Sequence, residues 1–259
     1  MAGGIYKTGL VLSGGGTRGF AHLGVLKALN EAGIYPDVVS GTSAGALAGL
    51  MYCDGIGPEE AFKIMKGSRR LNYMRPTMPR DGLLQLSGIR KILEDHVTAR
   101  RFEDLKIPLY VSATDLNNGR PVYFSRGELL DVVIASASIP VLFRPVVINN
   151  IFYADGGILD NMPVLPIENQ CRLIIGSFVN PVGKEESFHN LIKITERTFM
   201  IMMSKEINEK SNKFNLFISP AELRNYGILS PEEAEAVFRI GYRATREKLR
   251  DSRILKLFS

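Results

Sequence analysis

The first fifty residues constrain the fold of this chain more than any others. The stretch "YKTGLVLSGGG" carries an apolar run from about Lys7 to Leu12 that glycines stop, which is the pattern of a strand. "FAHLGVLKALNEAG" then places Phe20, Leu23, Leu26 and Leu29 at helical spacing and closes on Gly33. Asp37 to Ser40 form a second short strand, and Ala44 to Tyr52 a helix of small residues. Such a strand-helix-strand-helix unit builds a parallel sheet with right-handed crossovers, so an α/β fold is expected.

The rest of the chain continues the alternation. A proline in the first turn opens a helix from Pro58 to about Lys66. Residues 67–88 hold Arg69, Arg70, Arg75 and Arg80 among prolines and glycines and read as a surface excursion. "GIRKILEDH" reads as a helix, "IPLYVSATDL" as a strand, and "GRPVYFS" as another strand reached through the turn "NNG". "GELLDVVIASAS" is a helix stopped by Pro140, and "VVINNIFYADGG" a hairpin turning near Asn149 and Asn150. "CRLIIGSFV" is a strand of the kind buried on both faces. A long helix spans Ser187 to Asn212, "KFNLFISP" supplies a late strand, and Ser230 with Pro231, Glu232 and Glu233 signals the cap of a terminal helix. No repeat or linker divides the chain, so residues 1–259 are expected to form one domain, ending in a basic helical extension over about 231–259.

Several function classes find little support. The longest apolar runs are far shorter than the roughly 20 residues of a membrane-spanning helix, and the first residues lack the apolar core of a signal peptide. A cytoplasmic protein is expected. Cys53 and Cys171 lie far apart, and His22, His96 and His189 show no ligand spacing, so neither a disulfide framework nor a metal centre is implied. The net charge of +5 is concentrated near the end of the chain, in Arg239, Arg243, Arg246, Lys248, Arg250, Arg253 and Lys256. Basic residues spaced along a helix usually form its solvated face; peripheral contact with an anionic membrane is the second reading, and nucleic acid is not expected.

Three short segments carry the chemistry. Gly14, Gly16 and Gly19 match G-x-G-x-x-G between a strand and a helix, the setting of a dinucleotide site. Asp37 has about the right separation for the acidic partner but precedes its strand, so it could not reach a ribose at the carboxyl edge of the sheet. A nucleotide-binding module is therefore the alternative function. The same glycines let backbone N–H groups converge at a helix N-terminus, which suits an oxyanion. Ser43 lies in G-x-S-x-G after a strand and before a helix, with Gly41 and Gly45 leaving room for a strained turn that exposes the hydroxyl. A serine nucleophile needs a base. His22 sits between apolar residues of a helix, and neither His96 nor His189 follows a strand with a shaped turn. Asp155 follows the strand "IFYA" and precedes Gly156 and Gly157, which let its carboxylate turn inward and accept a proton directly.

In this order and spacing, "GGGTRG", "GTSAG" and "DGG" resemble the patatin-like phospholipase family, and "AHLGVLKAL", "VSATDLNNG", "ASASIPVLFRPV" and "DGGILDNMPV" extend the likeness over about residues 7–180. The resemblance implies a three-layer α/β/α sandwich with a central, mostly parallel sheet. It implies a Ser-Asp dyad of Ser43 and Asp155, an oxyanion hole from the N–H groups of Gly15 and Gly16, and a loop shaped by Gly14 and Gly19. Arg18 fills the family's basic position, steadying the loop or attracting a phosphate head group. The implied reaction is hydrolysis of a lipid or other acyl ester through an acyl-enzyme, with no cofactor. Residues 69–80 fall where the family places a segment near the site's mouth, and "FMIMM" at 199–203 is read as core-facing before acyl-lining. A non-catalytic interaction protein on the same fold is a third reading; the joint presence of Ser43, Asp155 and both glycine motifs counts against it.

Overall fold

Apolar side chains on both sides of the first strand require that the sheet be covered on both faces. The computed structural model, which describes residues 6–67, 75–76, 84–185, 187, 191–205 and 207–258, meets that requirement. In β1 (Tyr6–Leu12), Leu10 and Leu12 enter one buried cluster and Val11 another. α1 (Phe20–Glu31), β2 (Val38–Thr42), α2 (Ala44–Cys53) and α3 (Pro58–Gly67) follow, so the opening unit forms as its spacing predicts. Next come a short antiparallel pair, β3 (Arg75–Pro76) and β4 (Leu84–Gln85), and then α4 (Ser87–His96).

The sheet is completed by β5 (Leu109–Asp115), β6 (Arg120–Phe124), β7 (Val146–Ile148), β8 (Ile151–Asp155), β9 (Cys171–Ser177) and β10 (Leu216–Ile218). The eight strands take the order β10-β9-β1-β2-β5-β8-β7, with β6 paired to β5 off that path. From β10 to β5 neighbours run parallel, while β6, β7 and β8 are antiparallel additions. β2 pairs with β5 through Thr42 and Ser112, and β8 then takes over with Asp155 opposite Ala113. Because β6 pairs with this same stretch of β5, β2 and β8 must share the opposite edge. The end of β2 and the end of β8 therefore meet. The hairpin β7–β8 turns on Asn149 and Asn150, both with positive φ (51° and 63°), as a two-residue turn matched to strand twist demands.

The remaining helices are α5 (Leu130–Ser136), α6 (Leu191–Ser204), α7 (Ile207–Ser211), α8 (Ala234–Lys248) and α9 (Ser252–Phe258). Leu10, Leu12, Val39 and Ile175 face the main core with α1, α2 and α5; Val11, Val38 and Ile174 pack on the other face beneath Met162, Val164, Ile167 and the partly buried Ile207. The chain is thus a three-layer α/β/α sandwich, with less regular chain on the second face. α8 lies against α1 at close range: a Cβ on Gly241 would strike the Ala21 backbone, and one on Gly24 the backbone of Phe238 and Tyr242.

Three sequence expectations need correction. α5 stops at Ser136, short of the boundary set by Pro140, because the Ser138 hydroxyl bonds back to the Ile134 carbonyl and the chain turns. The long helix expected over 187–212 is two helices; residues 188–190 and 206 lie outside the described residues. Ser230 makes no side-chain cap. Pro231–Glu233 forms a 3-10 turn ahead of α8, and the terminal helix breaks where the Asp251 carboxylate accepts the Arg253 N–H (2.9 Å) and so starts α9.

Candidate active site

The sharp turn out of β2 fixes Ser43. Its φ of 53° and ψ of −120° lie where a residue with a Cβ is strained, which typically costs about 1–3 kcal/mol. Gly45 permits the turn, since a Cβ there would collide with the carbonyls of Leu12 and Ser13. The Ser43 N–H donates to the Ser136 hydroxyl (2.8 Å), which in turn donates to the Ser112 carbonyl (2.6 Å). The Ser43 carbonyl accepts from Leu47 (3.0 Å) and opens α2. Only 4% of Ser43 is exposed, so its hydroxyl meets a cavity rather than open solvent.

Asp155 reaches Ser43 through the β2–β5–β8 junction. It is fully buried, its N–H donates to the Ser138 carbonyl (2.9 Å), and its carbonyl accepts the Thr114 hydroxyl (2.9 Å). Oδ1 accepts the Gly157 N–H (2.8 Å), whereas Oδ2 has no hydrogen-bond partner among the described residues. Burial pushes the carboxyl up from 3.8 to about 7, with the Ser43 hydroxyl and the Gly157 N–H acting in the opposite sense. The hydroxyl is thus near enough to favour the charged carboxylate without completing a hydrogen bond to it.

The glycine loop after β1 is held from several sides. The Gly14 N–H donates to Asn161 Oδ1 (2.8 Å) and its carbonyl accepts Asn180 Nδ2 (2.6 Å). The Ser13 carbonyl accepts His22 Nε2 (2.8 Å), while His22 Nδ1 faces the Ser177 hydroxyl (2.8 Å). Complete burial lowers the His22 pKa from 6.5 to about 4, so the ring is neutral and ties the loop to the end of β9. Gly15 (φ 153°) and Gly16 (φ 54°) then turn through conformations that favour glycine, and among the described residues neither N–H donates to an intramolecular acceptor. The short helix they open ends in α1.

Arg18 is placed differently from the head-group role. It is 2% exposed, and its Nε donates to the Tyr226 carbonyl (2.7 Å) beside α6, with Nη2 3.4 Å from the Arg224 carbonyl. Burial lowers its pKa to about 10, against the attraction of Glu196. Arg18 pins the loop to residues 224–226 and does not line the Ser43 cavity. "FMIMM" does not line it either: Phe199, Met200 and Met203 are buried, and Ile201 and Met202 are exposed. The Met203 sulfur instead packs by Gly14 and Gly157.

The cavity at Ser43 holds about 130 Å³. Gly16, Ser43 and Ala44 line it together with apolar walls that include Phe20, Leu47, Ile139 and Phe143. Lys66 is the charged side chain on its lining, paired with Glu235 of α8. A wall this apolar suits a hydrocarbon chain.

Sequence reasoning left several bracing residues unassigned. Asn161 and Asn180 clasp Gly14, and Ser136 holds Ser43. Asp160 accepts from Tyr123 (2.6 Å) and Lys210 (2.6 Å) and, through its carbonyl, from Thr42 (3.0 Å). No spacing announces such contacts, because most of them join segments far apart in the chain. His22 was expected to pack, and it does so while holding the loop. His96 lies at the end of α4 with Nδ1 on the Ile92 carbonyl; His189, Arg69, Arg70 and Arg80 lie outside the described residues. Asp37 bonds the Thr8 N–H (2.8 Å) at the amino-terminal edge of the sheet, away from the glycine loop, which disfavours the dinucleotide reading. Among the described residues no group of three or more His, Cys, Asp or Glu is arranged to hold a metal, and no helix is long and apolar enough to cross a membrane.

Comparison with known proteins bears on the same segments. The patatin-like phospholipase family model matches residues 10–167, more than half of the chain. An uncharacterized NTE family protein of Mycobacterium tuberculosis is 36% identical over 163 residues, covering 62% of this chain and 45% of the relative. Lysophospholipase NTE1 of Kluyveromyces lactis is 28% identical over 271 residues, covering 90% of this chain and 18% of that protein. The chain therefore spans less than half the length of these curated relatives. The crystal structure of VipD from Legionella pneumophila superposes with a TM-score of 0.58 at 17% identity, covering 95% of this chain and 67% of VipD, a likeness of fold.

Proposed function

The chain belongs to the patatin-like phospholipase family, and on that premise we propose that it is a serine lipid acyl hydrolase working through a Ser43–Asp155 dyad and an acyl-enzyme. The observation that carries this reading is the unpartnered Oδ2 of a fully buried Asp155, close to a serine held in a strained turn that lines an apolar cavity.

In the proposed reaction the ester carbonyl sits between Ser43 and the glycine loop. Ser43 Oγ bonds to the acyl carbon as its proton passes to Asp155, and the carbonyl oxygen becomes an oxyanion facing the N–H groups of Gly15 and Gly16. Preorganised donors of this kind each contribute about 10² to 10³ in rate. Collapse of the intermediate breaks the bond to the leaving alcohol, which takes the proton from Asp155. Water, deprotonated by Asp155, then attacks the acyl-serine; the bond to Ser43 Oγ breaks, Oγ takes the proton back from Asp155, and the fatty acid leaves. A carboxyl with a pKa of about 7 can both accept and return a proton near neutral pH. No step calls for a cofactor.

A fluorophosphonate probe tests this. Wild type is expected to be labelled covalently, Ser43→Ala to remain unlabelled, and Asp155→Asn to label at least about 100-fold more slowly. Equal labelling of Ser43→Ala, or no labelling of folded wild type, overturns the proposal. The latter result would favour the non-catalytic reading.

A further inference from the structure

α2 runs away from Ser43 with Ala44, Leu47, Ala48 and Met51 on one face, at i, i+3, i+4 and i+7. Ala44 and Leu47 wall the cavity that contains Ser43. A second cavity of about 50 Å³ is walled by all four, together with Leu23 of α1. The two spaces share Gly16, Phe20, Ala44, Leu47 and Met65, so they adjoin along the helix. The second is lined entirely by glycine and apolar residues. Water gains no hydrogen-bonding side chain there, and an apolar space of that kind is filled by hydrocarbon in preference to water.

We propose that this second cavity is the distal acyl subsite, and that it sets the chain length the protein prefers; the inference rests on the hydrolase reading. The acyl chain starts at Ser43, follows the apolar face of α2 between Phe20 and Met65, and ends against Met51. Met51 lies eight positions beyond Ser43, which at 1.5 Å per residue is about 12 Å along the helix axis. An extended hydrocarbon chain built from bonds of about 1.5 Å advances about 1.25 Å per carbon, so the path holds about ten carbons. Ala48 and Met65 are the specificity-determining positions, since a larger side chain at either fills the passage without touching the reacting atoms.

Substrate profiling tests the subsite. Initial rates are measured on p-nitrophenyl esters from butyrate to palmitate, each below its micelle concentration. In wild type kcat/KM is expected to rise about fourfold per added methylene up to about ten carbons and then level or fall. Ala48→Phe is expected to lower the decanoate-to-butyrate ratio of kcat/KM at least tenfold. Met65→Phe, at a half-buried position, is expected to lower it in the same direction and serves if Ala48→Phe does not fold. If wild-type rates climb without a break to palmitate, or if folded variants keep the wild-type profile, the subsite is wrong while the hydrolase reading stands. If no ester is cleaved and Ser43 takes no fluorophosphonate, the hydrolase reading falls and this inference with it.

Discussion

Asp155 shows at the scale of one residue how burial becomes chemistry. Its folded pKa of about 7 lies above the ordinary value of 3.8, so the folded chain holds this proton between roughly pH 4 and 7 while the unfolded chain has released it. Stability therefore falls as pH rises through that window, by up to about 4 kcal/mol from this group alone. Asp155→Asn, which cannot ionise, is expected to raise Tm relative to wild type at pH 8 and to lose most of that advantage at pH 5. A thermal melt of both proteins at the two pH values checks it. Under the proposed mechanism activity moves oppositely: Asp155 serves as base only when ionised, so kcat/KM is expected to rise with pH to a plateau with a midpoint near 7. A flat profile between pH 5 and 9 would remove Asp155 from that role. Gly156 and Gly157 made this residue visible in the sequence, since two glycines after a strand allow the turn. Nothing in the sequence marked the unpaired Oδ2, which exists because Thr114, Ser138 and Gly157 satisfy the rest of the residue.

At the scale of elements, close approach matters more than propensity. α1 carries the glycine loop at its amino end and is clamped by α8 through Gly24 and Gly241, where a Cβ would meet backbone of the opposite helix. Backbone cannot yield as a flexible side chain can, so Gly241→Val should force the helices apart. It is expected to lower stability by about 3 kcal/mol or more, read as a drop in the urea midpoint, and to slow fluorophosphonate labelling in the fraction that folds. Labelling at the wild-type rate would show that the loop does not depend on α8. Helical periodicity made α1 legible, the run from Ser230 to Glu233 announced a terminal helix although Ser230 makes no side-chain cap, and the hairpin was legible because its two turning asparagines tolerate positive φ. The pairing of α1 with α8 was not legible, since about 200 residues separate them. Nor was the break after Lys248, which depends on the local competition of Asp251 for backbone hydrogen bonds.

Across the whole molecule the charge balance bears on the proposed lipid substrate, because charge governs approach to an anionic surface. The chain carries a net charge of +5, yet Arg239, Arg243, Arg246 and Arg253 near its end each pair with a carboxylate of the same chain. Exposed pairs of this kind are worth about 0–1 kcal/mol and exchange readily with other anions. The protein is expected to co-sediment partly with vesicles rich in phosphatidylserine at low ionic strength and to be released near 0.5 M salt, where the Debye length shrinks to about 4 Å. Binding that survives high salt would point to apolar insertion instead.

By itself the sequence determined the α/β alternation, the strand-to-helix turns at "GGGTRG" and "GTSAG", and the candidate pair Ser43 and Asp155. These are local: a period of apolar residues or a glycine acts over a few positions, so a short stretch suffices to specify it. Tertiary structure decided what lies between the motifs. β8 takes the edge of β5 that β2 leaves, which places Asp155 beside Ser43 across more than a hundred residues. The same packing turned Arg18 away from the cavity, made His22 a neutral brace for the loop, and opened an apolar path along α2. Such features depend on which surfaces exclude water together, and that involves the whole chain at once.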